Sequence, residues 1–319
     1  MSLSDPRLRA ILFQALVIVG VVALFAMLFS NTLDNLSRRG IQTGFGFLDH
    51  QAGFAILSSL IPYSETSSYG RAFLVGLLNT LLVSGLAIVV STILGFIIGI
   101  ARLAPNWLVA RLAGVYVETI RNVPLLLQIF FWYFAVLRSL PLPRQSISFF
   151  GVAFLNNRGL YLPSFDSVPH LAGLNFQGGF VLIPEFVALL AALSIYTAAY
   201  IAEVVRAGVL SVGRGQTEAA YALGLTRGQT LRLVIVPQAM RVIVPPLTNQ
   251  YLNLTKNSSL AAAIAFPELV SVFAGSVLNQ TGQAVVVIGI TMAVYLAISL
   301  SISLGMNLYN RTTEPAVRA

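Results

Sequence analysis

Residues 215–224 read Gly215-Gln216-Thr217-Glu218-Ala219-Ala220-Tyr221-Ala222-Leu223-Gly224, and residues 234–238 read Val234-Ile235-Val236-Pro237-Gln238. The first stretch has the composition of a short helix. Glu218 sits early in it, small side chains follow at Ala219, Ala220 and Ala222, and Gly224 can end it in a left-handed cap. A segment this short and polar makes a compact knob rather than a membrane crossing. Pro237 then opens the next helix, where its missing N–H costs little.

The chain around this knob is apolar. Of 319 residues 57% are hydrophobic and 9% charged, against about 25% charged in a soluble domain. Most of the chain therefore cannot face water. The apolar runs are long and uninterrupted. That selects helices, whose backbone groups pair internally, over a barrel, whose strands alternate in polarity over about ten residues. A crossing needs roughly 20 residues. The candidate runs are 10–29, 72–101, 107–137, 185–209, 240–265 and 284–308. The expected fold is an all-α integral membrane protein with six transmembrane helices.

Each run carries its own detail. The first follows Arg7 and Arg9 and lacks a small-residue cleavage site, so it reads as an uncleaved span. The second holds Gly76, Gly85, Gly95 and Gly99, which suit close helix packing. Pro124 interrupts the third. The fifth is unusually polar, with Pro245, Pro246, Asn249, Asn253 and Lys256. Residues 30–71 read as a loop with an interfacial helix over the apolar patch from Phe54 to Ile61. Residues 138–184, rich in Pro, Asn and Gly, read as a long loop, and 210–237 as a polar one.

The net charge of +8 raises a nucleic-acid partner, but the arginines stand singly between apolar runs instead of forming a stripe, so none is expected. Six spans put both termini on one side of the bilayer. That side carries eleven arginines and the other six, with Arg121 and Lys256 inside spans. The positive-inside bias then places the termini and the 210–237 loop in the cytoplasm and the 138–184 loop outside. The chain has no cysteine, which excludes disulfides and thiolate metal sites. His50 and His170 are far apart in loops, and no metal site is expected. Lys256 is the only lysine and follows Thr255, so the chain has no phosphate-binding P-loop. If ATP drives the protein, another subunit hydrolyses it.

The knob resembles the EAA signature of ABC importer permeases: Glu-Ala-Ala, three residues, Gly, nine residues, an aliphatic, one residue, an aliphatic, Pro. Glu218-Ala219-Ala220, Gly224, Val234, Val236 and Pro237 keep every spacing, with valines in place of the usual Ile and Leu. Further stretches resemble the polar amino-acid uptake branch. These are Arg121-Asn122-Val123-Pro124-Leu125-Leu126-Leu127-Gln128, the run Ala199 to Gly208, Pro237-Gln238-Ala239, and Lys256-Asn257-Ser258-Ser259-Leu260. Asn122 replaces the usual glycine and leaves the local backbone open. The extra first span and the 138–184 insertion resemble the broad-specificity L-amino-acid (glutamate, glutamine, aspartate, asparagine) permeases.

The resemblance implies a type I ABC importer permease core over 72–310. That core includes a periplasmic insertion at 138–184 and a cytoplasmic coupling loop at 210–237, and residues 1–71 add an N-terminal helix and periplasmic linker. It implies polar L-amino acids as substrate and alternating access as mechanism, in a bacterial inner membrane. Implied partners are a cytoplasmic ATPase dimer that holds ATP and Mg, a periplasmic amino-acid-binding protein, and a second homologous permease or a second copy. No cofactor is implied in this chain, and it is not expected to be an enzyme. Gly215, Gln216, Glu218, Ala219, Ala220 and Gly224 become the expected contact with the ATPase.

Ionisable groups inside a bilayer are costly, so each is a candidate for function. Asn249, Asn253 and Lys256, spaced four and three, share a helix face, with Ser258 nearby. A lysine and amides suit a substrate α-carboxylate; gluing helices together is the structural alternative. Gln128 and Glu118 are weaker path candidates. Glu118 and Arg121, three apart, can instead pair on one helix face, as can Glu203 and Arg206. Two other classes compete. An ion-coupled secondary transporter would show inverted repeats and paired broken helices. An intramembrane enzyme would need a nucleophile with its base or a metal cluster.

Overall fold

The computed structural model describes residues 6–38 and 44–313. Arg39 and Arg318, both counted in the orientation argument, lie outside the described residues. The first helix, α1, covers Pro6–Arg38, and its apolar stretch is exposed along its length. A short 3₁₀ turn at Gly46–Asp49 follows, with Phe47 packed beside Tyr69 and Phe273. The expected interfacial helix over 54–61 is absent; this stretch is extended and bent. So short a patch cannot offset the cost of helix nucleation. Its carbonyls bond elsewhere: Asn79 Nδ2 donates to Ser58 O at 2.9 Å, and the Tyr63 hydroxyl donates to Phe54 O at 2.9 Å.

Helix α2 spans Tyr69–Ala101, and the Ser68 side chain caps it by accepting from the Arg71 N–H. Helix α3 covers Trp107–Asn122, capped by Asn106. Helix α4, Leu125–Phe130, continues as a π-wound segment, Phe131–Leu137. The two halves meet at a bend of 105°. The cause is local. Val123 precedes a proline and is driven to the extended region, with φ −101° and ψ 127°, so the helix stops.

The 138–184 insertion is more ordered than a loop. Strands β1 (Ile147–Phe149), β2 (Ala153–Asn156), β3 (Gly159–Leu162) and β6 (Phe180–Leu182) form one antiparallel sheet, and β4 (His170–Ala172) and β5 (Asn175–Gln177) form a hairpin. Phe176 lies against Phe154 and Tyr161, with ring centroids 4.6 and 5.1 Å away, and closes a small aromatic core between the sheets. Strands of three or four residues are too short to reveal a period-two pattern.

Helix α5, Pro184–Leu210, packs along α2 as the spine of the molecule. Their approach explains the glycines of α2. A Cβ on Gly95 would sit 2.5 Å from Ile201 Cγ2, and one on Gly99 would sit 2.8 Å from the Ala202 carbonyl oxygen. Next come α6 (Arg214–Ala222), α7 (Arg227–Thr230), a π-wound turn Leu231–Ile235, and α8 (Val236–Asn257), which tightens to 3₁₀ over Ser258–Ile264. A π segment, Val270–Val277, and α9 (Leu278–Thr281) form a half-helix, and α10 covers Ala284–Thr313.

The half-helix is not legible as a span in the sequence. Glu268, fully buried, caps it: its carboxylate accepts from the Val270 and Ser271 N–H groups at 2.8 and 2.7 Å and from the Tyr295 hydroxyl at 3.0 Å. Among the described residues, five helices are long and apolar enough to cross a membrane, and six if the bent α3–α4 pair counts as one span.

Candidate functional site

The knob between α5 and α8 is built by local bonding. Gly224 has φ +80°, its N–H donates to Tyr221 O at 2.9 Å, and the Leu225 N–H donates to Ala220 O at 3.1 Å. This pair of bonds is the Schellman closure of a helix on a left-handed glycine. Thr226 and Gln229 then form a capping box that starts α7. Gln238 Nε2 donates to Gln216 Oε1 at 3.2 Å and ties α6 to α8.

The knob therefore points one surface outward. Gly215, Gln216, Glu218, Ala219 and Gly224 are exposed. Ala220 is buried and packs the knob against the body, which separates it from the other expected contact residues. Tyr221 and Leu223, exposed to 48% and 82%, were missed from the sequence. They are the two large apolar side chains within residues 214–224, and that was the available signal.

Deeper in the molecule, Asn249, Asn253 and Lys256 lie exposed on one face of α8. Between α5 and α8 a cavity of about 320 Å³ is lined by Tyr196, Thr197, Tyr200, Gln250, Asn253, Leu254 and Asn257. The Tyr196 and Tyr200 hydroxyls are 3.1 Å apart. Ser258 is turned away from this face. It is buried, and its hydroxyl donates to Thr255 O at 2.7 Å. Two residues rotate a helix by about 200°, so Lys256 and Ser258 point to opposite sides.

Gln128 is also structural in its placement. Its Nε2 donates to Ile120 O and Val123 O, both at 3.0 Å, and so satisfies carbonyls left open where α3 ends.

The charged pairs are only partly those expected. Glu203 pairs with Arg206, at 2.5 Å, and also with Arg102 at the end of α2. Glu118 and Arg121 do not form an ion pair; the Arg121 guanidinium lies over the Tyr200 ring, 5.0 Å from its centroid. Lys256 has no ion pair with a described residue. Among the described residues no group of three His, Asp or Glu could hold a metal ion.

The profile of the family "binding-protein-dependent transport system inner membrane component" matches residues 91–319. The chain belongs to this permease family. The permease is 51% identical to the putative amino-acid ABC transporter permease protein YhdX of Escherichia coli K12, over 98% of this chain and 95% of that protein. It is 44% identical to the general L-amino acid transport system permease protein AapQ of Rhizobium johnstonii, over 97% and 93%.

Among solved structures, an amino acid ABC transporter crystallised with histidines matches at TM-score 0.58 and 29% identity, covering 76% of this chain and 95% of that one. The methionine transporter MetNI in an inward-facing form shares the fold at TM-score 0.52 and 17% identity. The permease thus has the type I ABC importer fold and is a non-catalytic inner-membrane component; ATP hydrolysis belongs to a separate subunit. Membership sets aside the ion-coupled transporter and the intramembrane enzyme.

Proposed function

We propose that this permease carries polar L-amino acids inward as one half of a pair with a related permease or a second copy. A periplasmic binding protein delivers the amino acid, and a dimer of cytoplasmic ATPases, which holds ATP and Mg, drives the cycle. The observation that carries this reading is the exposed knob over residues 214–224, closed by its glycine cap, in a chain 44% identical to a general L-amino acid transport system permease protein.

The knob docks on the ATPase through Gly215, Gln216, Glu218 and Ala219, with Tyr221 and Leu223 as apolar anchors and Ala220 and Gly224 as its internal supports. This requires the termini and the knob to face the cytoplasm and the β-sheet insertion to face outward, as the arginine bias favours.

The substrate path runs along the exposed face of α8. Lys256 and the amides of Asn249 and Asn253 supply a cation and hydrogen-bond partners for the α-carboxylate and polar side chain of an amino acid. An unpaired lysine at membrane depth is costly facing lipid and is supported by a water-filled path or an anion. The test is the ATPase activity of the reconstituted complex with a panel of amino acids and the binding protein. Stimulation by glutamate, glutamine, aspartate or asparagine is expected; a panel with no stimulation by any amino acid refutes the assignment.

A further inference from the structure

A second cavity, of about 310 Å³, lies between α2, α3 and α5, and its lining includes Arg102, Trp107, Arg111, Gly114, Glu118 and Arg206. Arg102 follows the last residue of α2, and Arg206 stands one turn before the end of α5, which leads into the knob. The cavity therefore opens at the end of the molecule that carries α6.

Arg102 and Arg206 are both held by Glu203, which fixes two guanidiniums at its wall. Arg111 and Glu118 are exposed, and neither forms an ion pair with a described residue. They are seven residues apart on α3 and so share a face, with Gly114 between them. A Cβ at Gly114 would meet nothing within 4 Å, so the wall there is open.

The same face of α3 continues to Arg121. Its guanidinium rests on Tyr200, and Tyr200 lines the α5–α8 cavity. A stripe of charge, Arg111, Glu118 and Arg121, thus joins the two cavities. Glu118 lies about 16 Å along the helix from its start at Trp107. A carboxylate that far into a spanning segment is costly against lipid and belongs beside water or a ligand.

We propose that the α2–α3–α5 cavity is a second amino-acid site, on the release side, reached from the α5–α8 cavity along this stripe. The proposal rests on the reading of the permease as an amino-acid importer. Arg111, beside the two anchored guanidiniums, takes the α-carboxylate, and Glu118 takes the α-ammonium. Guanidinium–carboxylate pairs are among the stronger hydrogen-bonded contacts. The walls hold three guanidiniums and the Glu118 carboxylate, and Glu203 behind them pairs with Arg102 and Arg206, which leaves a local excess of one positive charge. An acidic amino acid neutralises that excess and a neutral one leaves it unchanged, whereas a basic one adds to it. The site therefore prefers glutamate and glutamine to arginine.

The experiment is equilibrium binding of radiolabelled L-glutamate and L-glutamine to the purified permease–ATPase complex in nanodiscs, with L-arginine as competitor. Two classes of site are expected. Arg111→Gln weakens one class at least about tenfold, Lys256→Met weakens the other, and L-arginine competes poorly at the Arg111 class.

Gly114→Leu provides an independent check. It raises helix propensity while filling the cavity, and it should remove the Arg111 class. A single class, lost in Lys256→Met and intact in both α3 variants, overturns the second site and leaves the transport reading standing. If Arg111→Gln instead changes the amount of co-purified phosphatidylglycerol, with amino-acid binding as in the wild type, the cavity holds lipid and the proposal fails. Absence of all amino-acid binding and of all amino-acid-stimulated ATPase brings down the transport reading and this site with it.

Discussion

Two glycines in one knob should respond to the same substitution with opposite signs. Gly224 has φ +80° and closes α6, while Gly215 lies inside α6 with helical backbone. A Cβ on either would meet nothing within 4 Å, so sterics with neighbours do not enter. Gly224→Ala forces an L-residue into the left-handed region at about 1–2 kcal/mol. Gly215→Ala replaces a poor helix former by a good one and gains up to about 1 kcal/mol.

With about 1.4 kcal/mol per tenfold, the closed form of the knob should lose roughly five- to thirty-fold in population in the first variant and gain up to about fivefold in the second. The assay is amide hydrogen exchange over 214–225 in the intact complex, read beside uptake per ATP hydrolysed. Gly224→Ala should exchange faster and couple poorly, and Gly215→Ala should exchange more slowly. Equal exchange in the two variants would refute the claim that the left-handed cap holds the knob in shape.

Lys256→Met should abolish uptake while assembly and basal ATPase persist, measured in proteoliposomes; normal transport removes Lys256 from the path. Gln128→Leu leaves the Ile120 and Val123 carbonyls without their donor and should cost about 1–3 kcal/mol, seen as a lower thermal midpoint with uptake per folded complex retained. Gly99→Ala should destabilise the α2–α5 pair by about 1–3 kcal/mol through overpacking against the Ala202 carbonyl, whereas Gly85→Ala, with open space around it, should not. A cysteine at Ser211 should be labelled only from the cytoplasm and one at Phe165, fully exposed in the insertion, only from outside, in a chain with no native cysteine. The opposite pattern inverts the topology.

The sequence by itself determined the features whose cause is local. Long apolar runs define spans because every backbone group of a helix bonds within its own segment. Pro124 stops α3, and Gly224 ends α6, through the φ and ψ preferences of single residues. The EAA spacing marked the knob by its resemblance to the permease family, with the whole motif lying within one short stretch of sequence. Tertiary structure alone decided what depends on partners distant in sequence. It joined Arg102 to Glu203 and seated Arg121 on Tyr200 in place of Glu118. It also paired the strands of the insertion and folded Val270–Thr281 back under a buried Glu268. A polar side chain in a membrane protein takes whichever partner the packing brings within about 3 Å. Nothing in its own stretch of sequence names that partner, so only the fold shows Ser258 bonded to the Thr255 carbonyl and Gln128 to those of Ile120 and Val123.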